Sequence, residues 1–279
     1  MNCLGIRNFD MLFGFNKRST VSLLSTKGVP YEIILPRTKL NHPIGYAFAF
    51  ARGGSTLLHS LLSDYCSKVS WPCISINDQA FQQGIATREI SADANPLLNK
   101  GYLYLGFRHF PTNGFFIPEN TAVIHLIRDP RDMLVSLYFS VKYSHELKNE
   151  KLKSLNRYAH ESNIDSFVLQ KADVYLNIYE QYTENLNIKK IAIYRYEDVI
   201  FDKLEWLKSM VSHLGLPYEE EAALEISKKH DIIPDIEDER SHIRSVRPGN
   251  FRSKLQEETI VKLNDVYYNV LRKYGYSFV

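Results

Sequence analysis

Tyr46-Ala47-Phe48-Ala49-Phe50-Ala51-Arg52-Gly53-Gly54-Ser55-Thr56-Leu57-Leu58 is the stretch on which the fold turns. The apolar run over 46–50 is long enough for a buried strand. Gly53, Gly54, Ser55 and Thr56 break it, and Leu57, Leu58, Leu61 and Leu62 follow at helical spacing. The unit is strand, glycine-containing turn, helix.

The same alternation continues outward. Residues 102–107 read as a strand ended by Arg108-His109-Phe110-Pro111, and 122–127 as a buried strand. Asp129-Pro130 then starts a helix, with Asp as N-cap and Pro in the first helical position. That helix carries Met133, Leu134, Leu137 and Tyr138. Residues 165–186 predict a long helix with Phe167, Val168, Val174, Tyr175, Ile178 and Tyr182 as its apolar stripe, and 190–194 a further strand. Leu204, Leu207, Val211 and Leu214 mark a helix that stops at Gly215-Leu216-Pro217. A last helix is expected over about 255–274. Strands alternating with helices imply a single α/β domain, its central parallel sheet flanked by helices on both faces.

Composition narrows the function classes. The chain has 279 residues, 44% hydrophobic and 24% charged, enough to bury a sizeable core. Thirty-four Lys and Arg against 32 Asp and Glu leave a net charge of +2. A protein that coats nucleic acid would be far more basic, so any anion site is a local cluster. Cys3, Cys66 and Cys73 form no CxxC pair and no disulfide framework. The N-terminal apolar patch is interrupted by Arg7, Asn8 and Asp10, which is not a signal-peptide pattern. No stretch approaches the ~18 apolar residues of a membrane span. The location expected from these features is cytoplasmic, with neither nucleic acid nor membrane as partner.

Three places could carry chemistry. Arg52-Gly53-Gly54-Ser55-Thr56 joins a strand to a helix, where backbone N–H groups, the helix dipole and polar side chains make a cradle for a phosphate-like group. It is P-loop-like but not a Walker A loop, because the GxxxxGK[ST] spacing is absent. The same residues also fit an ordinary βα turn with Ser55 or Thr56 as N-cap. In Arg128-Asp129-Pro130-Arg131-Asp132, Arg128 sits at the carboxyl end of a strand, where open α/β sheets bind ligands. Ser136 lies two turns into the following helix, on the face that can turn back to such a ligand; a capped helix with solvated charges is the alternative. His109, just after a strand, has a side chain suited to general-base work near neutral pH, though a lone histidine is as compatible with a structural role. Together, two anion cradles and a candidate base at the strand ends of one sheet suggest group transfer from a nucleotide carrying phosphates at two places.

On these residues the chain resembles the sulfotransferases that use 3′-phosphoadenosine 5′-phosphosulfate (PAPS). The stretch from Phe50 to Leu58 looks like that family's 5′-phosphosulfate loop, and that from Arg128 to Tyr138 like its 3′-phosphate segment, with the Arg-to-Ser spacing retained. Arg108-His109-Phe110-Pro111 sits where the family has its catalytic histidine. Arg195-Tyr196-Glu197-Asp198 resembles the strand-end motif whose tyrosine lies near adenine. His242-Ile243-Arg244 through Arg247-Pro248-Gly249-Asn250-Phe251-Arg252 resembles the C-terminal nucleotide-binding stretch.

The resemblance implies residues 41–279 as a sulfotransferase domain, with 1–40 an N-terminal extension packing on it. It implies PAPS as co-substrate with no metal, and in-line transfer of SO₃ to a hydroxyl or amine of a small-molecule acceptor. His109 would be the base. Arg52, Gly53, Gly54, Ser55, Thr56 and Leu57 would hold the donor end, Arg128, Ser136 and Arg244 the 3′-phosphate, and Tyr196 and Ser227 the base. A glycan acceptor, or a P-loop kinase-like phosphotransferase, are the alternatives. The chain departs from the family in carrying Arg52 where many members have lysine, Leu57 where an aromatic is common, and Phe107 where a lysine often precedes the histidine. The family's dimer motif has no good copy, leaving monomer or dimer open. Five carboxylates, Asp231, Asp235, Glu237, Asp238 and Glu239, read as a loop that is either solvated or turned toward a cationic acceptor.

Overall fold

In a computed structural model of the chain, the residues described are 19–37, 42–86, 89–90, 101–108, 110, 117–144, 150–186, 189–234 and 246–278. The run over 46–50 becomes β3 (Gly45–Ala49), the centre of a five-stranded sheet. Its neighbours are β5 (Leu103–Phe107) and β6 (Ala122–Ile127); β4 (Cys73–Ile74) and β7 (Ile191–Arg195) form the edges, in the order β4-β5-β3-β6-β7. Every pairing is parallel, with Tyr46 opposite Tyr104 on one side and Val123 on the other.

Side-chain alternation within β3 decides what packs on each face. Tyr46 and Phe48 enter the larger core, with α3 (Pro130–Phe139), α5 (Ile164–Asn185) and α10 (Glu257–Val266). Ala47 and Ala49 enter the other, where their small side chains leave room for α1 (Ser55–Lys68), α7 (Lys203–Leu214) and α8 (Glu220–Lys229). The remaining helices are α2 (Ile76–Gln82), α4 (Glu150–Glu161), α6 (Tyr196–Val199), α9 (Phe251–Lys254) and α11 (Tyr268–Tyr274). Among the described residues no helix is long and apolar enough to cross a membrane.

Four details differ from the sequence reading. An antiparallel hairpin, β1 (Ser19–Leu24) and β2 (Pro30–Leu35), precedes the sheet. Gln79 of α2 and Gln83, which caps that helix, bond the backbone of Ile34 and Glu32 along the open edge of β2, at 2.6–3.1 Å, and so satisfy an otherwise unpaired edge. The C-terminal helix is interrupted at Tyr267, whose ring is fully buried and whose hydroxyl donates to the Ala172 carbonyl at 2.8 Å. Val174 does not belong to the buried stripe of α5; it is 53% exposed, and Tyr179 takes its place in the core. The sequence reading also contains no counterpart of β4, α2, α4 or α8, the last of which carries Ser227.

Candidate active site

The strand order reverses direction at β3: the chain leaves it for β4 and β5 on one side, then crosses to β6 and β7 on the other. A ligand crevice is expected beyond the carboxyl ends of the strands at such a point. A cavity of about 600 Å³ lies there. Four of the five strands send a residue into its lining: Arg52 after β3, Arg108 after β5, Arg128 after β6 and Tyr196 after β7.

The turn after β3 contains two left-handed residues, Arg52 at φ 69° and Gly54 at φ 94°. Gly53 closes the turn by donating its N–H to the Phe50 carbonyl at 2.9 Å. The N-cap of α1 is Gly54, not Ser55 or Thr56. This is a correction with a consequence: a glycine cap offers no side-chain acceptor to the first-turn N–H groups. Those donors and the positive end of the helix therefore stand at the cavity, which Gly54, Ser55, Thr56 and Leu57 line. Glycine is required at 54 sterically as well, since a Cβ there would lie 2.9 Å from Tyr196 Cδ2. Burial pushes the Arg52 pKa down; the nearby Tyr175 opposes this and the Arg108 charge adds to it.

The five-residue charged segment after β6 divides its labour. Arg128 faces the cavity with its guanidinium carbon 4.4 Å from the Tyr196 ring centroid, and its Nη1 donates to the Arg52 carbonyl at 3.2 Å. Among the described residues its buried Nε has no hydrogen-bond partner. Burial alone would depress the Arg128 pKa, but Asp132, Tyr196, Glu197 and Asp129 together carry it above the ordinary value. Arg131 is fully buried and saturated instead: it donates to Asp129 at 2.6 and 2.9 Å, to Asn264 at 2.6 Å and to the Ser277 carbonyl at 2.9 Å. Asp132 accepts the backbone N–H groups of Gly249 (2.7 Å) and Phe251 (2.9 Å). Asp129, Arg131 and Asp132 thus fasten the C-terminal segment beneath the site, while Arg128 alone of the five lines the cavity.

Ser136, two turns along α3, lines the cavity as its spacing suggested. Tyr196 is held by its hydroxyl, which donates to the Val246 carbonyl at 3.1 Å. Gly53 lies against Phe50 and does not line the cavity. Ser227 is also absent from the lining; it is buried in α8 and its hydroxyl donates to the Leu224 carbonyl at 3.1 Å. His109, Arg244 and the stretch from Asp235 to Glu239 lie outside the described residues.

Sequence reasoning missed Ser60, Lys203 and His230 in the lining. Lys203 is almost wholly buried and donates to the Ile200 carbonyl at 2.7 Å and to Asp231 at 2.6 Å. His230 is 2.7 Å from Asp64 Oδ2. Asp231, the first carboxylate of the acidic run, is therefore part of an ion pair rather than open loop. No local signal distinguishes these residues from surface lysines and histidines, because the elements that bury them are remote in sequence.

The lining brings together Arg52 with the N-terminus of α1, and Arg128 with Ser136, two cationic groupings in one cavity. Among the described residues, no group of three or more His, Cys, Asp or Glu side chains is gathered as for a metal.

The family profile described as "Sulfotransferase domain" matches residues 48–275. No curated protein is similar enough in sequence to count as a match. Among solved structures, the mouse sulfotransferase SULT7A1 complexed with PAP is similar over 84% of this chain and 85% of that one, at 13% identity and a TM-score of 0.56. A retinol dehydratase in complex with androsterone and the inactive cofactor PAP covers 87% of each chain, at 14% identity and a TM-score of 0.49.

Proposed function

Because the chain belongs to the sulfotransferase-domain family, we propose that it transfers the sulfonate of PAPS to a hydroxyl or amine of a small-molecule acceptor. The observation that carries this reading is the convergence of Arg52 and Arg128 on one cavity from adjacent strands. Arg52, Gly54, Ser55 and Thr56 hold the phosphosulfate end through backbone N–H groups and the guanidinium, on a turn that Gly53 closes. Arg128, Ser136 and Arg244 hold the 3′-phosphate, with Leu57 and Tyr196 beside the adenosine. His109 takes the acceptor's proton as the sulfur–oxygen or sulfur–nitrogen bond forms. Fixed cations facing the leaving oxygen stabilise the charge that builds on it.

Calorimetry with two nucleotides tests this reading. The wild type binds 3′,5′-adenosine bisphosphate (PAP) without Mg²⁺. Arg128→Ala weakens that binding about 10- to 100-fold, the worth of a charge-assisted bond to phosphate. Adenosine 5′-phosphosulfate, which lacks the 3′-phosphate, binds both proteins alike. Equal weakening of the two nucleotides refutes the assignment of Arg128. Acceptor class is then read from a matched panel of neutral, cationic and anionic alcohols and amines, with mass-spectrometric detection of the added sulfonate.

A further inference from the structure

Arg108 follows β5 directly and lines the same cavity as Arg52. Its carbonyl accepts the Ala51 N–H at 3.3 Å, which ties the ends of β3 and β5 together. Two arginines therefore leave adjacent strands toward one cavity, and the Arg108 charge adds to the cost of charging Arg52. That arrangement calls for an anion between or in front of them.

The three cavity arginines are held differently. The Arg128 guanidinium is packed against Tyr196 and bonded to the Arg52 carbonyl. The Arg108 side chain is 51% exposed, and its ion-pair partner is Asp78, at 3.9 Å from Nη2 to Oδ1. That distance is an ion pair without a hydrogen bond. Asp78 is itself fixed: its Oδ2 accepts the Ser75 hydroxyl at 2.8 Å and lies 3.6 Å from His59 Nδ1. Asp78 and His59 also line a second cavity of about 390 Å³, between α1 and α2. The pair formed by Arg108 and Asp78 thus stands where the two cavities meet, with a rigid carboxylate and an extended, loosely tethered cation.

We propose that Arg108 is a catalytic residue of the transfer step, meeting the sulfonate oxygens, and that Asp78 is the positioning residue that aims it. This rests on PAPS being the donor. In the step, a lone pair of the acceptor oxygen or nitrogen forms the new bond to sulfur. The bond from sulfur to the bridging oxygen breaks, its electron pair stays on the 5′-phosphate of PAP, and the acceptor's proton passes to the base. Charge shifts across the sulfonate oxygens as sulfur moves, and a planar fork of N–H donors can follow two of them at once. PAP has no sulfonate, so it makes no such contact.

The difference between PAPS and PAP is the test, and it needs no knowledge of the natural acceptor. Binding is measured by calorimetry, and slow PAPS cleavage with water as the acceptor is followed by PAP release. Arg108→Ala weakens PAPS binding about 10-fold or more while PAP affinity stays within about twofold, the signature of one lost charge-assisted contact. PAPS cleavage falls about 10²-fold, the scale of losing one donor to developing charge. Millimolar guanidinium chloride restores part of it, and Arg108→Lys keeps part because the charge remains without the fork. Asp78→Asn lowers cleavage about 3- to 10-fold and leaves PAP binding intact, an intermediate loss in keeping with aim rather than contact. A thermal melt of each variant confirms that it is folded. If Arg108→Ala weakens PAP as much as PAPS, Arg108 is a nucleotide ligand and the inference is overturned. If it changes neither binding nor cleavage, Arg108 is a solvated charge and the inference is likewise overturned. A wild type that fails to bind PAP at all overturns the donor reading itself, a result distinct from either.

Discussion

Replacing Gly54 by alanine separates two costs that meet at the phosphate loop. The backbone there is left-handed, at φ 94° and ψ 14°, which costs a residue with a Cβ about 1–2 kcal/mol. The new methyl would also stand 2.9 Å from Tyr196 Cδ2 and 3.1 Å from Leu126 Cδ2. The tyrosine ring cannot swing away cheaply, since its hydroxyl is bonded to Val246 and its face is packed against Arg128. Overpacking of this kind adds about 1–3 kcal/mol, giving about 2–5 kcal/mol in all. Gly84 supplies the control: its φ is 82°, but nothing lies within 4 Å of a Cβ built there. Gly84→Ala therefore costs only the backbone share, about 1–2 kcal/mol. Urea denaturation of both variants isolates the steric share as their difference. Calorimetry on folded Gly54→Ala should also show PAP binding weakened about 10-fold or more, because displacing the ring displaces the guanidinium stacked on it. A Gly54→Ala protein as stable as Gly84→Ala, with wild-type affinity for PAP, refutes the wedge between the loop and Tyr196.

Asp132→Ala leaves the Gly249 and Phe251 N–H groups without their acceptor; at about 1–3 kcal/mol for each buried donor, urea denaturation should show a loss of about 2–6 kcal/mol, and a loss under 1 kcal/mol would mean that the C-terminal segment is held by other contacts. Glu197 is a pH probe: burial raises its pKa above the ordinary 4.5, against the Asp129 N–H that it accepts at 2.8 Å. A raised pKa means that the folded state holds the proton more tightly, so this contribution to stability is complete below 4.5 and is lost as pH rises through the folded value. Stability measured in urea between pH 4 and 7 should therefore fall less with rising pH in Glu197→Gln than in the wild type, and parallel curves would show that Glu197 is not desolvated.

The parts of this molecule that were legible from sequence are those whose signals are local. An apolar run, a glycine turn and leucines at helical spacing lie within 17 residues, 46 to 62, and fold as β3, its loop and α1. Asp129 and Pro130 announce α3 because cap and first-turn chemistry act over two or three residues. The hairpin of β1 and β2 was not legible, although Tyr31, Ile33 and Leu35 alternate correctly. What makes that alternation a strand is the partner β1 and the side chains of Gln79 and Gln83, the latter more than 40 residues away.

For the site, sequence determined which chemistry was on offer: an arginine and a glycine-containing turn after one strand, an arginine and a serine after another. It singled out Arg128 by its place at the carboxyl end of a strand, but not the role of Arg131 three positions on. Tertiary structure decided that by burying Arg131 against Asn264 and Ser277 while Arg128 lines the cavity. It likewise brought Lys203 and His230 to the cavity, withdrew Ser227 from it, and set Arg108 beside Arg52. The physical reason is common to all of these. Backbone propensity and capping are short-range and are written in neighbouring residues, whereas burial, the field at a charge and the partner of a donor depend on chain segments that meet only when the sheet is assembled.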